Sequence, residues 1–215
     1  MTRGRSCAAA AAAAFGLATA ILTAQAPAGQ APPQNPPPAA ADPSLPQGQG
    51  GGRGTGAPVI QAARAAISGN NGITGSATLY EIANSGNAHM VQIILTVQNA
   101  PPGMHGVHIH ATGRCEGPDF KSAGGHFDPG PAGNPDPDVN HPYHMGDLPN
   151  LNVNAQGTGQ FNAYTTRVTM GGPTGLFDAD GSAIVIHQNL DPLVSGPSGS
   201  GIAGGPPIAC GVIER

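Results

Sequence analysis

Eight histidines fall between His89 and His187, in a stretch with few other ionisable groups. Imidazole is the commonest metal-ligating side chain, so such crowding points to metal chemistry before any other. His108 and His110 flank Ile109 in Gly106-Val107-His108-Ile109-His110. The side-chain period of two on a strand puts both imidazoles on one face and Val107 and Ile109 on the other. Two nitrogen ligands are thereby preset by backbone geometry; the alternative is a pair of surface histidines on an exposed strand face. His126 follows a glycine pair in Ser122-Ala123-Gly124-Gly125-His126-Phe127-Asp128-Pro129, where a backbone without Cβ atoms can approach a site closely. His144-Met145-Gly146-Asp147 is a short turn able to offer a nitrogen and an oxygen to one ion. His187 ends the apolar run Ala183-Ile184-Val185-Ile186. Taken singly, each of these histidines could equally be an ordinary loop residue.

The elements that must carry these groups read as β-structure. Beyond Pro58 no window repeats apolar residues at helical spacing, whereas short β-branched stretches bounded by Gly, Asn, Asp and Pro recur throughout. Strands are expected over 62–68, 73–82, 90–97, 103–111, 157–168, 182–187 and 208–213. Asn70-Asn71-Gly72 predicts a hairpin between the first two, because Asn and Gly accept positive φ. Two long gaps, 112–148 and 188–207, interrupt the pattern. Loops beyond about 15 residues are uncommon in compact domains unless they carry function. Tryptophan is absent, so the core must be built from Val, Ile, Leu and Ala. The expectation is a sandwich or closed barrel with two functional loops.

Residues 1–26 read as a secretory signal peptide: Arg3 and Arg5 precede an apolar run that begins at Cys7 and ends near Leu22, followed by small residues at Ala24, Ala26 and Ala28. Nothing later reaches the ~20 apolar residues of a transmembrane helix, so a soluble exported product is expected. Residues 27–57 are Pro, Gln, Gly and Ala with almost nothing to bury, which predicts a disordered linker. Residues 58–215 then form one domain. The formal net charge of −4 still counts Arg3 and Arg5, so nucleic acid and anionic membrane are poor partners. Cys115 and Cys210 remain after export, where an oxidising compartment favours a disulfide over free thiols.

The order of these pieces resembles the copper/zinc superoxide dismutases. The motifs are Pro-Pro-Gly-Met-His-Gly-Val-His-Ile-His (101–110), Cys115, Ser-Ala-Gly-Gly-His-Phe-Asp-Pro (122–129), His-Met-Gly-Asp-Leu-Pro-Asn (144–150), Ile-Val-Ile-His (184–187) and Ala-Cys-Gly-Val-Ile (209–213). The resemblance implies an all-β, eight-stranded Greek-key barrel with its metals outside the wall, under two long loops. It makes His108, His110, His126 and His187 copper ligands, and a four-imidazole set suits Cu(II) on independent grounds. It makes His126 the bridge to zinc and the catalytic residue that alternates between copper and a proton. His144 and Asp147 match further zinc ligands, Asp191 the carboxylate that orients the histidines of both metals, and Cys115–Cys210 the family disulfide. His105 matches a non-ligand histidine, and His89 matches nothing.

Two positions depart from that pattern. The family's third zinc histidine should fall between His126 and His144, but residues 127–140 contain none, and the nearest candidate is His141. Family members also carry an Arg three residues before the last Cys, to attract and orient superoxide; here that position is Pro207. The loop 188–206 holds no Lys or Arg to replace it, so anion capture is expected to suffer. Three functions follow: a superoxide dismutase of reduced activity, with copper, zinc and superoxide as cofactors and substrate; an exported copper-binding or buffering protein without efficient turnover; or a structural or adhesive domain that merely keeps its histidines. The oligomeric state stays open, a homodimer included.

Overall fold

The computed structural model describes residues 59–83, 89–172 and 175–215. The expected signal peptide and linker lie outside the described residues. Nine strands follow one another as β1 (Val59–Gly69), β2 (Thr74–Ala83), β3 (His89–Gln98), β4 (Gly103–His105), β5 (Val107–His110), β6 (Leu151–Val153), β7 (Gly159–Thr165), β8 (Ala183–His187) and β9 (Pro207–Val212). They form one antiparallel sheet in the order β4-β6-β7-β3-β2-β1-β9-β8-β5.

The two edge strands of that order, β4 and β5, are consecutive in the chain and separated only by Gly106. The sheet therefore curls until its edges are neighbours, a nearly closed barrel whose wall has one strand broken at Gly106. That break accounts for nine strands where eight are expected. Gly106 spends its own backbone groups outside the ladder: its N–H donates to Asn189 O at 2.9 Å, and its carbonyl accepts from His187 N at 2.9 Å. The chain passes from β3 to β4 and from β7 to β8 without pairing them, which is Greek-key connectivity.

Alternation decides which face is inside. Ala63, Ala65 and Ile67 of β1, Ala77 and Leu79 of β2, and Val91, Ile93, Leu95 and Val97 of β3 are buried, with more exposed neighbours between them. Strand β8 is buried at all five positions because both of its faces are covered. Ile184 and Ile186 enter the barrel core, while Ala183 and Val185 pack outside it with Phe120, Ala123 and Cys210. Truncating a core leucine or isoleucine of this kind to Ala costs about 2–5 kcal/mol. The Asn70–Gly72 turn joins β1 to β2 as expected, with positive φ at Asn71 (55°) and Gly72 (80°). Strand β6 was not expected, being three residues of Leu-Asn-Val inside an Asn-rich stretch too short to show a period.

Candidate metal centre

The candidate metal-ligating side chains start from β5. Val107 and Ile109 point into the barrel core, which turns His108 and His110 onto the outer face, where the first long loop buries them. That loop adds a partial strand on the free side of β5: Phe127 N donates to Ile109 O (2.8 Å), Ala111 N to Gly125 O (2.9 Å) and Ile109 N to Gly146 O (2.8 Å). His126 and Asp147 are thereby brought level with His110 and His108. The glycine pair before His126 is required for this approach. Gly124 has φ 76°, and a Cβ on Gly125 would lie 2.0 Å from Pro135 O, the carbonyl that accepts from His126 N.

Hydrogen bonds to one nitrogen of each ring leave the other nitrogen free. His110 Nδ1 donates to Gly124 O at 2.8 Å, and His187 Nδ1 to Gly205 O at 2.7 Å, so both Nε2 atoms present lone pairs. Those two Nε2 atoms face each other at 3.3 Å, an arrangement that is repulsive unless a proton or a metal ion lies between them. His108 Nε2 donates to Asp191 Oδ2 at 2.9 Å and leaves Nδ1 without a partner; His126 Nε2 is likewise unpartnered. All four rings are buried, and ligand atoms from His108, His110, His126 and His187 lie within 4.8 Å of one another. Buried nitrogens left unpaired are costly, and a metal ion satisfies all four at once.

A second cluster adjoins the first across His126. Its Nδ1 lies 2.8 Å from Asp147 Oδ1 and 3.3 Å from His144 Nδ1, a separation of the kind expected between nitrogens bound roughly 2.0–2.1 Å from a tetrahedral ion. His144 Nδ1 is 3.0 Å from Asp147 Oδ2, and its Nε2 is buried without a partner. His141 enters the same cluster. Its Nε2 donates to both Asp191 oxygens, and its Nδ1 sits 3.2 Å from Asp147 Oδ2 without hydrogen-bonding it. His108 also lies within reach of His126, His141 and Asp147, but it cannot serve both groups through one free nitrogen.

The electrostatics separate the two clusters. Burial holds His108, His110 and His126 below the ordinary histidine value, and takes His187 down to about 4. These rings are neutral near pH 7, the form that binds metal. Burial pushes His141 the same way, but Asp147 and Asp191 outweigh it and raise His141 to about 9; His144 is raised for the same reason, by Asp147. Asp147 and Asp191 lie well below the usual carboxylate range, because hydrogen bonds from the histidines overcome the cost of burying them.

The copper/zinc superoxide dismutase (SODC) family model matches residues 73–213. The chain belongs to that family. It is 39% identical over 132 residues to a copper/zinc superoxide dismutase of Caulobacter vibrioides, covering 59% of this chain and 72% of that one. It is 38% identical over 152 residues to the enzyme of Deinococcus radiodurans, covering 66% and 78%. A superoxide dismutase-like protein of Bacillus subtilis is 38% identical over 128 residues, covering 57% of this chain and 62% of that one. The crystal structure of a SOD-like protein from Bacillus subtilis matches with a TM-score of 0.54 at 29% identity, over 69% of this chain and 96% of that one. The clock protein EA4 matches at 0.53 and 25% identity, over 71% and 93%.

Within this dismutase-family chain, Pro207 does stand beside two histidines of the first cluster. It pairs with His187 in the β8–β9 ladder and lines a cavity of about 480 Å³ that has His110 and His187 in its walls. The disulfide Cys115–Cys210, with Cα atoms 5.6 Å apart, ties the first long loop to β9, where Cys210 packs with Phe120, Ala123, Ala183 and Val185. Both ring nitrogens of His105 face backbone carbonyls, Nδ1 that of His187 and Nε2 that of Pro101, and His89 pairs with Glu81 at 3.0 Å, so neither joins a cluster.

Several supporting residues escaped the sequence reading. Asn150 clasps the Asp191 backbone, donating to its carbonyl at 2.8 Å and accepting from its N–H at 2.9 Å. Ser195 Oγ donates to His141 O, and the Asp138 carboxylate accepts from Gly201 N and Ala203 N, so the two long loops are stitched together over the site. Arg167 Nη1 donates to the carbonyls of Pro142 and His144. These are backbone contacts across distant segments, which leave no local spacing signal.

Proposed function

We propose that the protein is an exported superoxide dismutase, converting two superoxide anions and two protons to oxygen and hydrogen peroxide at reduced rate. The observation that carries this reading is the convergence of His108 Nδ1, His110 Nε2, His126 Nε2 and His187 Nε2, neutral rings whose other nitrogens are already committed. These four would hold copper, which when bound supplies one-electron chemistry in both directions. His126, His141, His144 and Asp147 would hold zinc, with His141 as the third histidine. Asp191 orients one ring on each side through His108 and His141. His126 contacts both clusters, so it can hold a proton at Nε2 while Nδ1 stays engaged on the Asp147 side. The charged leader of residues 1–26, the linker of 27–57 and the disulfide fit an exported protein. No helix among the described residues is long and apolar enough to cross a membrane. The test is superoxide removal by the copper- and zinc-loaded protein. A rate above that of an equal amount of chelated copper is expected, and an equal rate rejects the reading.

A second reading, an exported copper buffer on the same barrel, is favoured by Pro207. Proline offers neither charge nor N–H at the cavity wall. Replacing it separates the two. If the remaining site is catalytic, Pro207→Arg should raise dismutation strongly, since one such donor is typically worth ~10²-fold or more. A buffer would bind copper tightly and stay inactive after the same change.

A further inference from the structure

The second long loop orients His187 through a turn rich in glycine, with five of them in residues 196–205. His187 Nδ1 donates to Gly205 O at 2.7 Å, which commits that nitrogen and leaves Nε2 facing His110 Nε2. Gly205 N closes the turn by donating to Gly201 O at 2.9 Å. Gly204 and Gly205 have φ of 87° and 70°, and a Cβ on Gly204 would lie 2.9 Å from His187 Cβ. The carbonyl that orients the ring thus sits on a glycine pair pressed against it. Glycine is also the residue type with the most backbone freedom to lose, so this turn needs an outside support to keep one shape.

The support comes from the first long loop. Asp138, which is buried, accepts from Gly201 N through Oδ2 at 2.8 Å and from Ala203 N through Oδ1 at 3.2 Å. Its backbone carbonyl accepts from Gly196 N at 2.8 Å. Gly201 is therefore held at both of its backbone groups, the N–H by Asp138 and the carbonyl by Gly205 N. No Lys, Arg or His side chain among the described residues forms an ion pair with Asp138. A buried carboxylate without a cation must be satisfied by hydrogen bonds, and one N–H on each oxygen fixes both the carboxylate and the turn that donates to it.

We infer that Asp138 is a positioning residue for His187: by clamping Gly201 and Ala203 it fixes where Gly205 O stands, and with it which His187 nitrogen carries the proton and where Nε2 points. This rests on the copper reading of the first cluster. The effect passes through the backbone of residues 201–205, because no hydrogen bond joins Asp138 to His108, His110, His126 or His187.

The test compares the full wild-type chain with Asp138→Asn, Asp138→Ala and a control, Ser198→Ala. The control cuts a different bond between the same two loops, from Ser198 Oγ to Asp136. Nitrogen-15 NMR of the metal-free protein reads the His187 tautomer. Electron paramagnetic resonance of the Cu(II) protein reads the ligand geometry, and transfer to a chelator gives the copper release rate. Wild type should carry the His187 proton on Nδ1. Asp138→Ala should mix the two tautomers, alter the Cu(II) hyperfine splitting and release copper about tenfold faster. Asp138→Asn, which keeps one acceptor oxygen, should fall between them, and Ser198→Ala should match wild type in tautomer and spectrum. An unchanged tautomer and spectrum in Asp138→Ala would overturn the inference, as would the same changes in Ser198→Ala. Should Asp138→Ala fail to fold, Asp138→Asn decides by the same criterion. A wild type that binds no copper would instead reject the copper reading, and the metal-free tautomer comparison would still decide whether Asp138 sets His187.

Discussion

His141 Nε2 donates to both carboxylate oxygens of Asp191, at 2.8 and 2.7 Å. Asp191 also accepts from His108 Nε2 at 2.9 Å, so one buried carboxylate orients a ring in each metal-ligating cluster. Removing it should loosen both. Asp191→Ala is expected to weaken copper and zinc binding by about 10–100-fold each. Competitive chelator titration measures this; a loss confined to one metal would contradict the shared role.

The metal-free protein should show a stability maximum between two losses. His141, raised to about 9, contributes stability that is complete below its unfolded value of 6.5 and disappears as pH climbs through 9. His187, lowered to about 4, acts oppositely: the unfolded chain takes up its proton first, so stability falls as pH drops from 6.5 to 4. Thermal melts of chelator-treated protein across pH 4–9 test both arms.

If His141 is the third zinc histidine, as proposed, zinc must displace its proton, so uptake should release protons and tighten as pH rises from 6.5 toward 9. Calorimetry in buffers of different ionisation enthalpy reads the released protons. His141→Ala should abolish most of that pH dependence, whereas an unchanged profile would exclude His141 from the zinc position.

Arg167 holds the His144 turn by donating from Nη1 to Pro142 O at 3.0 Å and His144 O at 2.8 Å. Arg167→Ala should cost about 1 kcal/mol of stability and shift zinc affinity more than copper affinity. Arg167→Lys should recover part of this loss, because both bonds come from the one nitrogen Nη1 and an ammonium carries enough N–H groups to make them.

The disulfide closes a span of 95 residues between Cys115 and Cys210. Replacing both cysteines with Ser should destabilise the protein by about 2–5 kcal/mol, measured by denaturant unfolding. Copper retention should also fall, because the loop carrying Lys121 to His126 loses its tie to β9.

Much of this arrangement is local and therefore legible in residue order. The two-residue period of β5 alone places His108 and His110 on one face and commits Val107 and Ile109 to the core. Asn71 and Gly72 announce their turn because few residue types accept positive φ. The apolar run of β8 marks a strand buried on both faces. What the residue order left undecided depends on contacts between distant segments. His141 reads as a loop residue beside Pro142 until Asp191, fifty positions away, captures its Nε2. The break at Gly106 is invisible in a continuous β-pattern, because it depends on hydrogen bonds to Asn189 and His187. Asp138 and Pro207 lie in different loops, and only the folded barrel gives them a common cavity. Backbone periodicity acts over a few residues and can be read from the chain directly, whereas convergence of side chains across eighty positions requires the closed sheet to exist first.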